Sequence, residues 1–190
     1  MNADALAART LELVDIPSES GGEAEIERYV ATAMPREPAY AGDSVLFYPP
    51  HRDGPFVLLV GHLDTVPAQA NLPGRIAAGA VHGLGASDMK GGVAVMLELA
   101  SDPELDAGFL FFGREELPAN ESPLTAFFTR CPRALEAELG VVLEPTDNTV
   151  QAGCLGNLNA RLVFHGRSRA GRAGCSSRVS RGRTSSSIPP

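Results

Sequence analysis

No run of apolar residues in this 190-residue sequence is long enough to cross a bilayer as a helix, which argues against a membrane-spanning protein. Net positive charge is lacking as well. The formal charge is −7, so nucleic acid is not an expected partner. The N-terminus, Met1 to Arg9, has no basic start followed by an apolar core and so does not read as a signal peptide. The cysteines, Cys131, Cys154 and Cys175, show no C-x-x-C spacing. An odd, scattered set reads as reduced thiols in a cytoplasmic protein, each more readily a small buried residue than a nucleophile. No internal repeat is present. What remains is an ordinary globular composition, 44% hydrophobic and 21% charged, enough for one domain or slightly more.

The charge is unevenly spread. Up to Ser168, 11 Lys and Arg face 23 Asp and Glu, a net of −12. From Arg169 to Pro190 there are five arginines and no acids. That tail has almost no large apolar residues, and it reads as a segment unable to offset its ordering entropy by burial. Residues 169–190 are therefore expected to be a disordered, out-of-frame tail.

Ala3 to Val14 carries apolar residues at helical spacing and is stopped by Ile16-Pro17-Ser18. Glu23 to Met34 reads as a second helix with acids in its first turn, which suits the helix dipole. Val45 to Tyr48 reads as a short strand and Phe56 to Val60 as a strand buried on both faces. A helix is expected over Gly91 to Ala100, a strand over Phe109 to Phe112, a helix that starts with Leu124 to Phe128 and ends near Cys131-Pro132, and a further buried strand over Leu139 to Leu143. Strands separated by helices predict an α/β fold, a mixed and largely parallel sheet flanked by helices. Asn157 to His165 alternates, as in a half-exposed antiparallel strand, and suggests a second sheet or domain. The expected organisation is 1–153 as one domain, 154–168 as the start of another, and 169–190 as the tail.

Chemistry-bearing residues follow the predicted strands. His62 and Asp64 follow Phe56 to Val60, Glu115-Glu116 follow Phe109 to Phe112, and Glu144 follows Leu139 to Leu143. Asp88 sits in the glycine-rich loop Gly83 to Gly92. In open α/β sheets the carboxyl ends of strands line the ligand crevice. One imidazole and several carboxylates would converge there, a mixed N/O ligand set suited to zinc, manganese or cobalt. Spaced two apart, His62 and Asp64 point to the same face, so Asp64 can accept the second N–H of the imidazole. Glu115 and Glu116 would point apart in a strand, one toward a metal and one toward the substrate water. A carboxylate at Asp88 could bridge two ions about 3.5–4 Å apart. Taken singly, each has a plainer reading: a loop histidine, a solvated acid pair, a helix cap at Asp88, a turn acid at Glu144. Their order after successive strands reverses that. His51 sits in a polar Pro/Asp/Gly loop, His82 and His165 have no acidic partner at ligand spacing, and all three keep the plain reading.

These motifs resemble those of the M20 family of metallopeptidases and deacylases. Gly-His-Leu-Asp-Thr-Val-Pro at Gly61 to Pro67 is similar to the family's G-H-x-D-x-V-P, and Gly83 to Gly92 to its G-x-G-x-x-D-M-K-G-G. Glu115-Glu116 matches its glutamate pair and Leu143-Glu144-Pro145-Thr146 its L-E-P-T. With Leu72-Pro73, the set is most similar to that of succinyl-diaminopimelate desuccinylases of actinobacterial type, over about residues 5 to 168. Acetylornithine deacetylases share nearly all of it. The resemblance implies a zinc-exopeptidase-like catalytic domain with two Zn(2+) ions, for which Co(2+) or Mn(2+) could substitute. It implies that His62 and Glu144 hold one ion, that Glu116 holds the other, and that Asp88 bridges them. Asp64 would orient His62, and Glu115 would be the general base that moves a proton from water to the leaving amine. The implied reaction is hydrolysis of N-succinyl-LL-2,6-diaminopimelate to succinate and LL-2,6-diaminopimelate, in lysine and cell-wall biosynthesis. The implied partners are a small N-acyl amino acid and, in the intact family, a second copy of the chain, with no nucleic acid or membrane.

The departures carry expectations of their own. The family splits its catalytic domain around an inserted lid or dimerisation domain, which supplies a substrate-binding histidine; the resumed domain then adds a final histidine ligand. Here the chain reads Arg169-Ala170-Gly171-Arg172 where an Ala-His-Ser-like segment is expected, and Leu117-Pro118 replaces a commoner glycine. The chain is thus expected to be the N-terminal part of such an enzyme with the first strand of the lid, inactive or nearly so. A non-catalytic, metal-binding remnant is the reading from a different class.

Overall fold

The computed structural model of the chain describes residues 2–153. The expectations for Asn157 to His165, Cys154, Cys175 and the 169–190 tail lie outside those residues.

Among the described residues, seven strands and four α-helices follow one another in the order α1 (Ala3–Asp15), α2 (Ala24–Ala33), β1 (Tyr40–Gly42), β2 (Val45–Tyr48), β3 (Phe56–His62), β4 (Arg75–Ala77), β5 (Ala80–His82), α3 (Gly91–Ala100), β6 (Gly108–Phe112), α4 (Leu124–Arg130) and β7 (Ala137–Val142). Five strands form one sheet in the order β1-β2-β6-β3-β7. β3 runs parallel to β6 and to β7, whereas β2 is antiparallel to both β1 and β6. The expected mixed, largely parallel sheet flanked by helices is what the chain forms.

The apolar runs explain the layers. Side chains alternate across a strand, so a run apolar at every position needs cover on both faces. Leu46, Tyr48, Leu59, Phe109 and Phe111 pack with Leu13 of α1, Ile26 and Val30 of α2, and Val93, Met96 and Leu97 of α3. The alternate positions, Val45, Phe47, Leu58, Leu110 and Phe112, pack with Phe127 of α4 on the opposite face. Every residue of β6 is buried. Among the described residues, no helix is long and apolar enough to cross a membrane.

Two elements differ from the sequence reading. Leu139 to Leu143 reads as a buried strand, but among the described residues β7 lies at the sheet edge beside β3, and Leu139 and Val142 are 55% and 54% exposed. An apolar run signals the capacity to be covered, not the presence of a covering layer. The hairpin β4–β5 was not anticipated. Its strands have three residues each, too few to show a period, and its turn at Ala78-Gly79 lacks the usual Asn or Asp signal.

Register sets up the site. His62 lies opposite Phe112 in the β3–β6 pair, and Val60 opposite Val142 in the β3–β7 pair. β3 and β6 therefore end level and β7 ends two residues earlier, and the segments that follow them leave from one edge.

Candidate metal centre

His62 is the last residue of β3 and is 1% exposed. Its Nε2 faces outward to Asp88 Oδ1 at 2.9 Å and Glu144 Oε1 at 3.4 Å. Its Nδ1 meets the backbone carbonyl of Asp64 at 3.0 Å. The Asp64 carboxylate lies 3.5 Å from the same nitrogen, within ion-pair reach. The sequence spacing anticipated a bond to that carboxylate, whereas the hydrogen bond itself goes to the main chain of the same residue. The carboxylate is occupied elsewhere. It accepts the Ser20 hydroxyl at 2.6 Å and the N–H groups of Glu115 and Glu116 at 3.0 and 3.2 Å.

Asp88 stands in an irregular turn, Ala86–Lys90, whose Asp88 and Met89 depart from helical geometry. Met89 is fully buried, and its sulfur accepts the backbone N–H of His62 at 3.1 Å. The turn leads into α3, which begins close against the end of β7. A Cβ on Gly92 would lie 2.6 Å from the Leu143 carbonyl oxygen, so only glycine permits this approach. That contact brings the segment carrying Asp88 alongside Glu144.

Glu115 and Glu116 follow β6 in a turn rather than in a strand. They were expected to point apart. Instead one ligand atom from each comes within 4.8 Å of one on His62 and of one on the other. Extended backbone is needed for the period-two divergence, and the chain has already turned at Arg114, whose φ is +60°.

Two groups of possible ligands result, His62 with Asp88 and Glu144, and His62 with Glu115 and Glu116. The structure thus gathers five of the six residues singled out in the sequence into these groups, and Asp64 adjoins them through His62, Glu115 and Glu116. Among the described residues His62 is the imidazole common to both groups, and His51 and His82 belong to neither. The electrostatics mark an excess of negative charge. Burial raises the Glu144 carboxyl to about 7, with His62 opposing and Asp88 and Glu115 reinforcing the shift. Burial also raises Glu116, helped by Asp88 and Glu115. Burial alone would lower His62, but its hydrogen bonds to Asp64 and Asp88 and the charge of Glu144 prevail and hold it at about 9. Asp64, although buried, is held at about 2 by the adjacent His62 imidazole and by hydrogen bonds from Ser20, Glu115 and Glu116. Crowded carboxylates around one imidazole nitrogen are a donor set that fits a divalent cation, which would relieve their repulsion.

Sequence reasoning missed three contributors. Ser20 was not singled out, Glu23 reads as an acid of a helix's first turn, and no local signal distinguishes them from ordinary residues. Lys90, the sole lysine of the sequence, is 1% exposed, and its ammonium donates to the Ile16 carbonyl at 2.8 Å. Burial lowers it to about 8 against the pull of Asp15.

Known proteins bear on this arrangement. The model of peptidase family M20/M25/M40 matches residues 58–168. The chain is 38% identical over 165 residues to a Mycobacterium tuberculosis protein provisionally named succinyl-diaminopimelate desuccinylase, covering 83% of this chain and 47% of that protein. It is 36% identical over 169 residues to a succinyl-diaminopimelate desuccinylase of Corynebacterium glutamicum, covering 83% and 46% respectively. The chain spans about half the length of these curated relatives. Human carnosine dipeptidase 1 superposes with a TM-score of 0.63 at 19% identity, over 74% of this chain and 38% of that one. An M20 family metallo-carboxypeptidase of Sulfolobus solfataricus gives 0.60 at 18% identity, over 75% and 37%. At such identities these likenesses show the fold.

Proposed function

The chain belongs to peptidase family M20/M25/M40, and on that premise we propose that its centre serves metal-dependent hydrolysis of an amide, the N-succinyl amide of N-succinyl-LL-2,6-diaminopimelate. The observation that carries the reading is the pair of ligand groups sharing His62 at the carboxyl ends of β3, β6 and β7. The substrate rests on the names of relatives at 36% and 38% identity.

In this reading His62, Asp88 and Glu144 hold one divalent ion, Glu116 and Asp88 hold a second, and residues 1–153 are the N-terminal part of the catalytic domain. Zinc suits the imidazole and carboxylate donors, and cobalt or manganese could replace it. When bound, such ions supply Lewis acidity, which polarises the scissile carbonyl and lowers the pKa of water toward about 7. Glu115 takes the proton of the attacking water on a carboxylate oxygen and delivers it to the departing amine nitrogen. His62 keeps Nε2 turned toward the ions because Nδ1–H donates to the Asp64 carbonyl. Asp64 fixes the main chain beneath Glu115 and Glu116.

Among the described residues the centre has four of the five protein ligands that the motif resemblance implies. We infer that this 190-residue polypeptide by itself binds metal but turns over poorly. Purified chain loaded with zinc should release succinate from the succinyl substrate far below the usual enzyme range of about 1–1000 s−1. Turnover inside that range would overturn the inference of poor activity. A chain that bound no divalent metal would overturn the metal centre itself. Preferential release of ornithine from N-acetylornithine would favour the deacetylase alternative.

A further inference from the structure

Beneath the turn that carries Glu115 and Glu116 lies a second buried carboxylate, Glu23, 2% exposed and placed just before α2. Its Oε1 accepts the N–H of Gly21 at 2.8 Å and the N–H of Arg114 at 3.1 Å. Its Oε2 accepts the Ser44 hydroxyl at 3.4 Å. The next two N–H groups, of Glu115 and Glu116, donate to Asp64. The preceding one, of Gly113, donates to the Ser44 carbonyl at 2.8 Å. Four consecutive amides, Gly113 to Glu116, are each anchored, and three of them end on two buried carboxylates. The packing is close. A Cβ on Gly113 would stand 2.8 Å from both Cδ and Oε1 of Glu23. Arg114 is held in left-handed backbone, and its guanidinium donates to Asp43 Oδ1 at 2.6 Å.

The hydrogen-bond partners of Glu23 are two N–H groups and a hydroxyl, with no cation among them. A buried carboxylate so held gains stability from charge-assisted bonds and from the N-terminus of α2. A left-handed arginine is strained, and such a conformation persists only where its surroundings enforce it. We propose that Glu23 is a positioning residue for Glu115 and Glu116. Its carboxylate holds the Arg114 amide, Asp64 holds the two amides that follow, and the two acids together set where the Glu115 and Glu116 side chains stand. What those side chains are for rests on the two-ion reading above; the anchoring of their main chain does not.

The test is residue-level amide hydrogen exchange on the full chain, with Mn(II) affinity measured by electron paramagnetic resonance. Glu23→Ala should speed exchange at Arg114 to Glu116 about tenfold relative to Phe109 to Phe112, the loss expected of one hydrogen bond to a charged group. It should weaken Mn(II) binding about tenfold as well, on the scale of lost supporting contacts around a metal. Glu23→Gln keeps an acceptor oxygen and should restore most of both. Leu13→Ala, a core change remote from the turn, should raise exchange broadly and leave Mn(II) affinity near wild type. Exchange that rises uniformly in Glu23→Ala, as in Leu13→Ala, would overturn the proposal, and so would unchanged Mn(II) affinity where wild type binds. Should Glu23→Ala not fold, Glu23→Gln decides alone. A small rise confined to Arg114 to Glu116 supports the proposal, and none overturns it. Wild-type chain that binds no Mn(II) would sink the two-ion reading and leave exchange to judge Glu23.

Discussion

The carboxylate of Asp64 accepts the backbone N–H of Glu115 at 3.0 Å, across 51 positions of sequence. One buried acid thus joins the strand that ends in His62 to the turn that presents two further acids. Asp64→Asn replaces one acceptor oxygen with an N–H2 group that cannot serve both Glu115 and Glu116. Divalent-metal affinity should fall roughly 10–100-fold, the usual effect of losing a contact that supports a ligand. Calorimetric titration checks this, and affinity equal to wild type would contradict the role.

The same acid has an expected signature in acid. Its pKa is about 2 folded against 3.8 as the ordinary value. A depressed carboxylate stabilises the fold above its unfolded pKa, and that stability is lost as pH falls from about 4 to about 2. The amount at stake is roughly 2 kcal/mol. In metal-free chain, urea midpoints should drop over that window, and Asp64→Asn should flatten the drop. An equal drop in both would count against it.

His62 is common to both ligand groups, while Glu144 belongs to one of them. In the two-ion reading His62 and Glu144 hold the same ion, so His62→Ala should remove tight binding of that ion. Glu144→Gln should weaken one class of site and spare the other. Equal stoichiometry and affinity in His62→Ala and wild type, read by metal analysis after dialysis, would refute His62 as a ligand.

Lys90 offers a chemical probe of the fold. It is the one lysine in the sequence and is buried to 1%. An amine-reactive ester should label the α-amino group of the native chain and reach Lys90 only on unfolding. Rapid native labelling at Lys90, seen by peptide mass spectrometry, would show that its burial is wrong.

β7 leaves Leu139, Val141 and Val142 exposed along an edge. Edge strands of this kind invite pairing between chains. The purified chain should self-associate with rising concentration, and Leu139→Lys should lower that tendency. Light scattering that shows no concentration dependence would dismiss the expectation.

Much of this was legible in advance because apolar runs and turn residues act locally. β2, β6 and α3 lie where their runs predict, and His62, Asp88, Glu115, Glu116 and Glu144 all come to one edge. The direction of β2, antiparallel to β6, was not legible, since a buried strand reads alike in either direction. Nor was the convergence of Glu115 and Glu116, which depends on a left-handed turn at Arg114.

The sequence by itself determined the alternation of strands and helices, the membership of the family, and which side chains could bind a metal. These are properties of residue type and short spacing. Only the tertiary structure decided that the Asp64 carboxylate serves the Glu115-Glu116 main chain rather than the imidazole alone, and that Glu23 lies beneath Arg114. The pairs involved are 51 and 91 positions apart. Contacts at such separations arise from the packing of whole elements, and no local pattern in the chain encodes them.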